Sequence, residues 1–274
     1  MCVERKDIIK VLMDYRYLNW SKARISSGTT GSFLKAYDDT TLPKKYYKLS
    51  NFDIDKGIIG HECINEIIVQ RLMDLLGIDH LNYKLIHACI VIDNKEYETY
   101  MCESLNFKDI DEAKIPFEDF YMAEKLINES PLEFVKRFGW ENKIYGMLVV
   151  DYLVLNRDRH GANVEILRNG KLKTLKMAPL FDQGLSLLCT CYDKASLDGF
   201  DVMNDIKVQS FIGGNSAFRN LDLVPKDFLK KLPDITKSID DLFIGLDEIL
   251  DKAYYEKIKE MILRRWNYLD SLRN

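Results

Sequence analysis

The sequence has no long hydrophobic run and no excess of charge of one sign. Its longest apolar stretch, residues 147–155, is interrupted by Asp151 and is too short to span a bilayer. The first fifteen residues carry charges throughout and lack the apolar core of a secretory signal peptide. The 39 Lys and Arg residues against 43 Asp and Glu give a formal net charge of −4. We therefore expect no membrane partner, no nucleic-acid partner and a cytoplasmic location.

Paired cysteine motifs, repeats and linkers are also missing. The six cysteines include no C-x-x-C pair, and only Cys189 and Cys191 are close in sequence, without a histidine spaced to join them on zinc. We interpret them as reduced thiols in a cytosolic protein. No internal repeat, low-complexity tract or Pro/Gly/Ser-rich linker divides the 274 residues. A chain of this length without such breaks predicts one large domain or two lobes.

The hydrophobic pattern that is present changes character along the chain. The first part predicts a short helix at 6–18, strands at 33–37 and 46–49, a long helix at 60–76, and a hairpin of 85–92 with 96–104 that turns at Asp93-Asn94. Later segments are mainly of helical period: 117–129, 131–138, 141–155, 227–232, 235–250 and 253–272. We therefore predict an α+β fold with a β-rich N-lobe at 1–105 that contains one long helix, and a mainly helical C-lobe at 106–274.

Polar loops at 156–163 and 178–184 carry the best candidates for chemistry. Phosphoryl transfer from ATP needs a carboxylate to take the proton of the attacking hydroxyl, oxygen ligands for Mg²⁺ and a cation on the phosphates. Asp158 is the candidate base, while Asn163 and Asp182 are the candidate metal ligands. His160 lies between base and ligand, where it either fixes the loop or stabilises charge on the phosphoryl group. We count it with the catalytic candidates and favour the structural role.

These loops resemble those of a known family. The run from Asp151 to Asn163, followed by Ala178-Pro-Leu-Phe-Asp182, is similar to the catalytic and metal-binding loops of the HipA-like kinases. Lys48 resembles the family's strand lysine, which pairs with ATP phosphates. We therefore count Lys48 among both the catalytic and the cofactor-binding candidates. The resemblance implies a bilobal protein-kinase-like fold, with ATP and Mg²⁺ as cofactors. The chain resembles the compact branch without the toxins' extra N-terminal subdomain, so no antitoxin partner is carried over.

The partner of Lys48 has two candidates. Glu62 and Glu66 are four residues apart and share one face of the predicted helix, so spacing alone does not separate them. The family resemblance favours Glu66 as the cofactor-side partner. Without the other motifs, Lys48 would read as a solvated lysine at a strand edge.

Two further segments are candidates for nucleotide contacts. In the loop 26–32, the residues Ser27, Gly28, Thr29 and Thr30 can present N–H and hydroxyl groups to phosphates. Taken alone, the loop is better explained as a plain flexible hairpin loop, and its position ahead of Lys48 favours the phosphate contacts. The resemblance implies that a serine of this loop, Ser26 or Ser27, is phosphorylated.

The second segment is the expected hinge between the lobes. We expect the backbone near Glu103 and Leu105 to pair with the adenine edge and Met101 to line the pocket. A strand end at the surface is the alternative for each of these residues.

Asp151 is an acidic residue on the apolar stripe of the helix 141–155. A buried carboxylate needs partners, and the nearest donors in sequence are Arg157, Arg159 and His160. We therefore predict that Asp151 braces the catalytic loop and takes no part in the chemistry.

The leading hypothesis is an ATP- and Mg²⁺-dependent serine/threonine protein kinase of the HipA-like class, capable of autophosphorylation, with a protein substrate. One alternative keeps the fold and takes a lipid or small-molecule acceptor. The other is a non-catalytic pseudokinase that binds partners. Retention of Lys48, Asp158, Asn163 and Asp182 argues against the pseudokinase, because a degenerate site is expected to have lost one of them.

Overall fold

The computed structural model describes residues 6–21 and 33–273. The strands are β1 (Ile8–Asp14), β2 (Lys35–Asp38), β3 (Lys45–Leu49), β4 (Phe52–Asp53), β5 (Gly57–Ile58), β6 (Tyr83–Ile92), β7 (Lys95–Leu105), β8 (Glu112–Pro116), β9 (Asp158–Arg159), β10 (Glu165–Asn169), β11 (Thr174–Met177) and β12 (Gln209–Ser210). The helices are α1 (Glu62–Leu76), α2 (Phe117–Glu124), α3 (Pro131–Arg137), α4 (Glu141–Val154), α5 (Lys194–Asp198), α6 (Ala217–Asn220), α7 (Lys226–Leu229) and α8 (Lys252–Ser271).

A five-stranded sheet with the order β1-β6-β7-β3-β2 dominates the first part of the described chain. Strand β1 runs parallel to β6, and the other neighbours are antiparallel. The β6–β7 hairpin turns at Asp93 and Asn94, whose φ angles are 51° and 64°. Aspartate and asparagine tolerate this left-handed conformation, which a two-residue hairpin turn needs at both positions. The predicted hairpin is confirmed.

The two faces of this sheet bury different side chains. One face packs on α1 as part of the main hydrophobic core, which continues through α4 and α8. The opposite face has its own small core, made of Leu18, Leu34, Ala36, Tyr47, Leu49, Ile86, Ala88, Ile90, Ile92 and Met101. Successive strand residues point to opposite faces, so Lys48 and its cross-strand neighbour Cys102 lie on the α1 side.

The second part of the chain is built around α4, which is buried on every side from residue 144 to 154. A helix that is apolar all round belongs in a protein interior. Beside it, β8, β10 and β11 form a three-stranded antiparallel sheet. The α+β architecture, with a strand-rich first part holding one long helix and a mainly helical second part, is confirmed. Among the described residues, no helix is long and apolar enough to cross a membrane.

Several element predictions were wrong. Residues 8–14 form strand β1 and not a helix, because pairing with β6 gives the β-branched residues of this segment an extended place at the sheet edge. The segment predicted as a helix at 235–250 contains a 3₁₀ helix, Thr236–Phe243. Its Thr, Ser and Asp residues compete for backbone hydrogen bonds and disfavour a regular α-helix.

The structure also differs from the predictions in the bounds of two helices and in one strand that was not predicted. Helix α2 stops at Glu124 and does not reach residue 129, and a left-handed residue follows at Asn128, with φ of 61°. Helix α7 is shorter than the predicted 227–232. Strand β8 was missed because its partner, β10, lies about fifty residues further along the chain. The lobe boundary after residue 105 stays a prediction.

Candidate active site

Lys48 is the centre of the candidate site. Its Nζ donates to Glu66 Oε1 at 3.0 Å and to Asp182 Oδ1 at 2.5 Å, and the residue is 8% exposed. Burial by itself lowers the pKa of the ammonium, but the two carboxylates outweigh it and hold the pKa well above its ordinary value. Lys48 is therefore a permanent cation that joins β3, α1 and the loop at Asp182.

Glu66 is fully buried and receives three donors. Its Oε1 accepts from Lys48 and from the Gly184 N–H at 3.0 Å, and its Oε2 accepts from the Gln183 N–H at 2.8 Å. Glu62 has a different partner: its Oε2 accepts from the Asn51 N–H at 3.0 Å. Burial raises the pKa of the Glu62 carboxyl. The structure thus selects Glu66 as the partner of Lys48, as the resemblance implied.

Asp182 lies in a tightly held loop. Its backbone is left-handed, with φ of 59°, and its N–H donates to the Tyr83 hydroxyl oxygen at 3.1 Å. Burial alone raises the pKa of its carboxyl, but Lys48 overcomes this and holds the pKa well below the usual range. The carboxylate is consequently ionised at neutral pH, as a metal ligand must be.

Gly184 provides space in this loop, whose left-handed turn is made by Asp182. A Cβ at position 184 would stand 3.0 Å from Lys48 Nζ and 3.2 Å from Glu62 Cβ. A side chain there would press on the lysine, so the glycine allows the loop to approach β3 and α1 closely.

The loop that carries Asp158 starts where α4 ends at Leu155, a residue in the left-handed conformation with φ of 51°. Asp158 begins β9, which pairs in parallel with β12, opposite Gln209. The Asn163 Nδ2 donates to the Asp158 carbonyl oxygen at 2.8 Å. Because the amide nitrogen is used in this way, the amide oxygen of Asn163 is the atom left for a cation.

His160 contacts both sides of this loop. Its Nδ1 accepts from the Ala162 N–H at 3.2 Å, and its Nε2 lies 3.6 Å from Asp158 Oδ1. Since Nδ1 acts as an acceptor, the neutral ring carries its proton on Nε2, which faces the Asp158 carboxylate. This geometry supports the structural role that we favoured, with His160 as a positioning residue.

Asp151 and Arg159 form a buried ion pair that holds the loop carrying Asp158. The Arg159 guanidinium donates to Asp151 Oδ1 at 2.9 Å, and its Nη1 donates to the carbonyl oxygens of Asn163 at 3.2 Å and Phe181 at 3.0 Å. Asn156 Nδ2 also donates to Asp151 Oδ1 at 3.0 Å. Asp151 has the kind of partner that the sequence predicted for it, and this partner is Arg159. One arginine thereby connects the Asp158 and Asp182 loops.

The structure places the hinge candidates differently from the expectation. Met101 belongs to the small core on the face of the sheet away from Lys48, so it does not line a pocket on the Lys48 side. Glu103 lies on that same outer face, where its carboxylate pairs with Lys45 at 3.1 Å, and its backbone lies between β3 and β6. Neighbouring residues of a strand point to opposite faces of the sheet, so Cys102, and not Met101, faces α1.

Leu105 is the last residue of β7 and is 45% exposed, so its role at the adenine edge stays a prediction. The phosphate-loop candidates Ser27, Gly28, Thr29 and Thr30, and the phosphorylation candidates Ser26 and Ser27, lie outside the described residues.

Two buried polar residues of the site were not foreseen. Asn65, next to Glu66 on α1, donates from Nδ2 to the carbonyl oxygens of Gly184 at 3.1 Å and Ser186 at 3.0 Å. Tyr83 holds the Asp182 amide. The signal for Asn65 was available in the sequence as an amide within an otherwise apolar helix face, whereas Tyr83 has no local signature.

The residues present fit Mg²⁺ and a nucleotide triphosphate. The Asp182 carboxylate and the Asn163 amide oxygen are hard oxygen donors, which Mg²⁺ prefers alongside phosphate oxygens and water. Lys48 supplies a buried positive charge beside them.

No protein-family model matches the sequence, and no curated protein matches it. Solved structures do match. The proinflammatory kinase CtkA of Helicobacter pylori has a TM-score of 0.64 at 13% identity, and the match covers 96% of this chain and 97% of that one. HipA of Shewanella oneidensis MR-1, solved as a toxin–antitoxin system with HipB and operator DNA, has a TM-score of 0.52 at 15% identity, covering 92% and 68%.

This chain has the HipA-like kinase fold. At such low identity the two likenesses establish the HipA-like fold alone, and the chemistry must be argued from the side chains. The HipA-like fold concerns the backbone, and the set of Lys48, Asp158, Asn163 and Asp182 concerns the side chains. Their agreement is the basis for the functional proposal.

Proposed function

We propose that the protein is an ATP- and Mg²⁺-dependent phosphotransferase that phosphorylates serine or threonine hydroxyls of a protein substrate, its own chain included. The observation that carries the proposal is Lys48, buried and bridging Glu66 and Asp182. A stable fold gains little from such a buried charge cluster, because desolvation offsets the attraction. Binding of a triphosphate and its metal would explain why these three charged side chains are buried together.

The reaction assigns one role to each side chain. Asp158 orients the acceptor hydroxyl and takes its proton as the oxygen attacks the γ-phosphorus, and the bond to the ADP oxygen breaks in line. Lys48 stabilises the negative charge of the phosphates, and Glu66 fixes the position of Lys48. Asn163 and Asp182 would hold Mg²⁺, which would supply positive charge to neutralise the phosphates. His160 keeps Asp158 in place.

The test compares wild type with Asp158→Asn and Lys48→Met, incubated with Mg²⁺ and γ-labelled ATP. We expect wild type to label itself or proteins of a cell extract. Asp158→Asn should lower the rate by about 10² to 10⁴-fold, the usual contribution of a general base. Asp227→Asn, the same change at an exposed position on α7, is the matched control and should label like wild type.

Two results would overturn this function. The first is equal labelling by wild type and Asp158→Asn, which would remove the proposed base. The second is an unlabelled wild type, which would favour the pseudokinase alternative. Label found in the lipid or small-molecule fraction, with none in protein, would overturn the acceptor class and keep the phosphotransferase.

A further inference from the structure

Strand β1 lies at one edge of the five-stranded sheet. Within the described residues it pairs on one side only, with β6. The register of this pairing shifts between Ile9 and Met13, and such a bulge re-aims the side chains of its strand. Three consecutive apolar side chains are exposed there: Val11 by 73%, Leu12 by 47% and Met13 by 40%. An unpaired strand edge with exposed apolar side chains is a template for another strand. We call residues 10–14 the β1 edge.

The backbone of the β1 edge has hydrogen-bonding groups that point away from β6. Just after β1, the Tyr15 N–H donates to the Cys89 carbonyl oxygen of β6 at 2.9 Å. Alternate residues of an extended strand turn their N–H and C=O groups to opposite sides. Because Tyr15 faces β6, Asp14 and Leu12 face the open side. A strand that adds to this edge would therefore find donors and acceptors on both residues.

The charges of the β1 edge are symmetric about Leu12. Lys10 lies two residues before Leu12, and Asp14 lies two residues after it. If two identical strands pair antiparallel about a twofold axis at Leu12, Lys10 of each copy lies opposite Asp14 of the other. Val11 then lies opposite Met13. Opposite charges in such cross-strand pairs stabilise a sheet. A twofold axis at Val11 or Met13 would instead place a charged residue opposite Leu12.

The partners that these charges have within the chain leave them available to a second one. Lys10 Nζ lies 2.7 Å from Glu248 Oε2, and the Lys10 side chain is 42% exposed. Asp14 Oδ2 lies 2.8 Å from the Arg16 guanidinium, and the Asp14 side chain is 61% exposed. An ammonium has three donors and a carboxylate has two acceptor oxygens, so each group can hold two partners at once. Exposed ion pairs of this kind contribute little stability by themselves.

We propose that the β1 edge binds the β1 edge of a second copy of this chain, antiparallel about a twofold axis at Leu12. The two five-stranded sheets then form one continuous sheet. Leu12 of each copy exchanges backbone hydrogen bonds with Leu12 of the other, and Lys10 pairs with Asp14 across the axis. Val11 and Met13 become covered by the partner. The inference concerns the sheet edge and does not depend on the proposed phosphotransfer.

Sedimentation velocity over a range of protein concentrations tests the dimer. We expect wild type to pass from monomer to dimer as its concentration rises. Leu12→Lys places two ammonium groups at the axis and should raise the dimer dissociation constant at least about tenfold. Leu172→Lys, the same change at a leucine that is 72% exposed on a different turn, is the matched control and should dimerise like wild type. Melting temperatures show whether the variants are folded.

Cysteine crosslinking tests the register of the pairing. Leu12→Cys places a thiol next to its own copy at the axis, so mild oxidation should give a covalent dimer. Val11→Cys is the matched control, because its copy lies diagonally across the axis at about 7–8 Å, too far for a disulfide. Wild type, oxidised in parallel, accounts for the native cysteines.

A wild type that stays monomeric at every concentration would overturn the proposal, and so would a dimer that Leu12→Lys leaves intact. Equal crosslinking of Val11→Cys and Leu12→Cys would contradict the axis at Leu12. If Leu12→Lys does not fold, the crosslinking of Leu12→Cys, a smaller change at an exposed position, decides alone. The absence of a covalent dimer in that variant would then refute the pairing.

Discussion

Arg159 illustrates at the residue scale how one buried charge fixes the geometry of the site. Its guanidinium is 1% exposed and donates to one carboxylate and two backbone carbonyls from different loops. A planar group with five fixed donors can hold several acceptors at set angles, which a lysine cannot do. The Asp158 and Asp182 loops are therefore kept at a constant spacing by one side chain and its counterion, Asp151.

Substitution of Asp151 by asparagine tests this brace. We expect Asp151→Asn to lower the free energy of unfolding by about 3 kcal/mol, because Arg159 remains buried without its carboxylate. Urea unfolding monitored by tryptophan fluorescence measures the change. The matched control is Asp111→Asn, which removes the exposed pair with Lys171 at 2.7 Å and should leave the unfolding midpoint unchanged. An Asp151→Asn protein as stable as this control would contradict the brace.

Helix α1 is the element that carries most of the site. It begins after His61, ends at Gly77 in the left-handed conformation, and presents Asn65 and Glu66 to the loop at Asp182. Its existence follows from sequence, because apolar residues recur at helical spacing before a glycine stop. The sequence does not show that Lys48 pairs with Glu66 and not with Glu62, because both glutamates share one helix face. Only the contacts of Glu66 with the loop at Asp182 distinguish them.

His61 at the start of α1 makes this element sensitive to acid. Burial lowers the pKa of its imidazole to about 4, against a weaker opposing effect from the Leu188 backbone. The unfolded chain binds a proton near pH 6.5 and the folded chain does not, so the stabilising contribution is full above pH 6.5 and is lost as the pH falls towards 4. We expect a loss of about 2 kcal/mol between pH 7 and pH 5 from this group.

Urea unfolding of His61→Gln at pH 7 and pH 5 checks the assignment, because the variant should show a smaller acid loss than wild type. His87→Gln is the matched control. His87 lies on β6, away from α1, with its Nε2 2.9 Å from Glu98 Oε1. This control should keep the full acid loss. The same acid loss in His61→Gln and wild type would show that another group is responsible.

Arg71 connects distant parts at the scale of the whole molecule. It projects from α1, pairs with Asp7 at 2.8 Å just before β1, and donates to the carbonyl oxygens of Leu242 at 2.8 Å and Ile244 at 2.9 Å. All three partners lie far from Arg71 in the sequence. Helix α1, and with it Glu66, is thus attached to the residue before β1 and to the end of the 3₁₀ helix as well as to the sheet.

Removal of this connection should loosen the molecule as a whole. We expect Arg71→Met to cost about 3 kcal/mol of unfolding free energy, because one partly buried carboxylate and two carbonyls lose their donor. Hydrogen exchange followed by mass spectrometry should show faster exchange in α1 and in residues 236–246. Lys10→Gln removes the exposed pair with Glu248 and serves as the control. Exchange in α1 that matched this control would refute the connection.

The sequence by itself determined the candidate residues of the site, the β6–β7 hairpin and helix α1. These features depend on neighbouring residues: a two-residue turn, a helical period, and a short loop that holds Asp158 and Asn163 together. The α+β fold was also evident, because the change from strand to helix patterns extends over long segments.

Only the tertiary structure decided which glutamate meets Lys48, which face of β7 packs towards α1, and that residues 8–14 form a strand. Each depends on contacts between residues far apart in the chain. Met101 and Cys102 are neighbours on β7 and therefore face opposite sides of the sheet. Pairing with β6 makes residues 8–14 a strand, although their apolar spacing favours a helix. The side chains of Tyr46, Phe107, Lys114 and Glu165 come from β3, the segment after β7, β8 and β10, so packing alone brings them together.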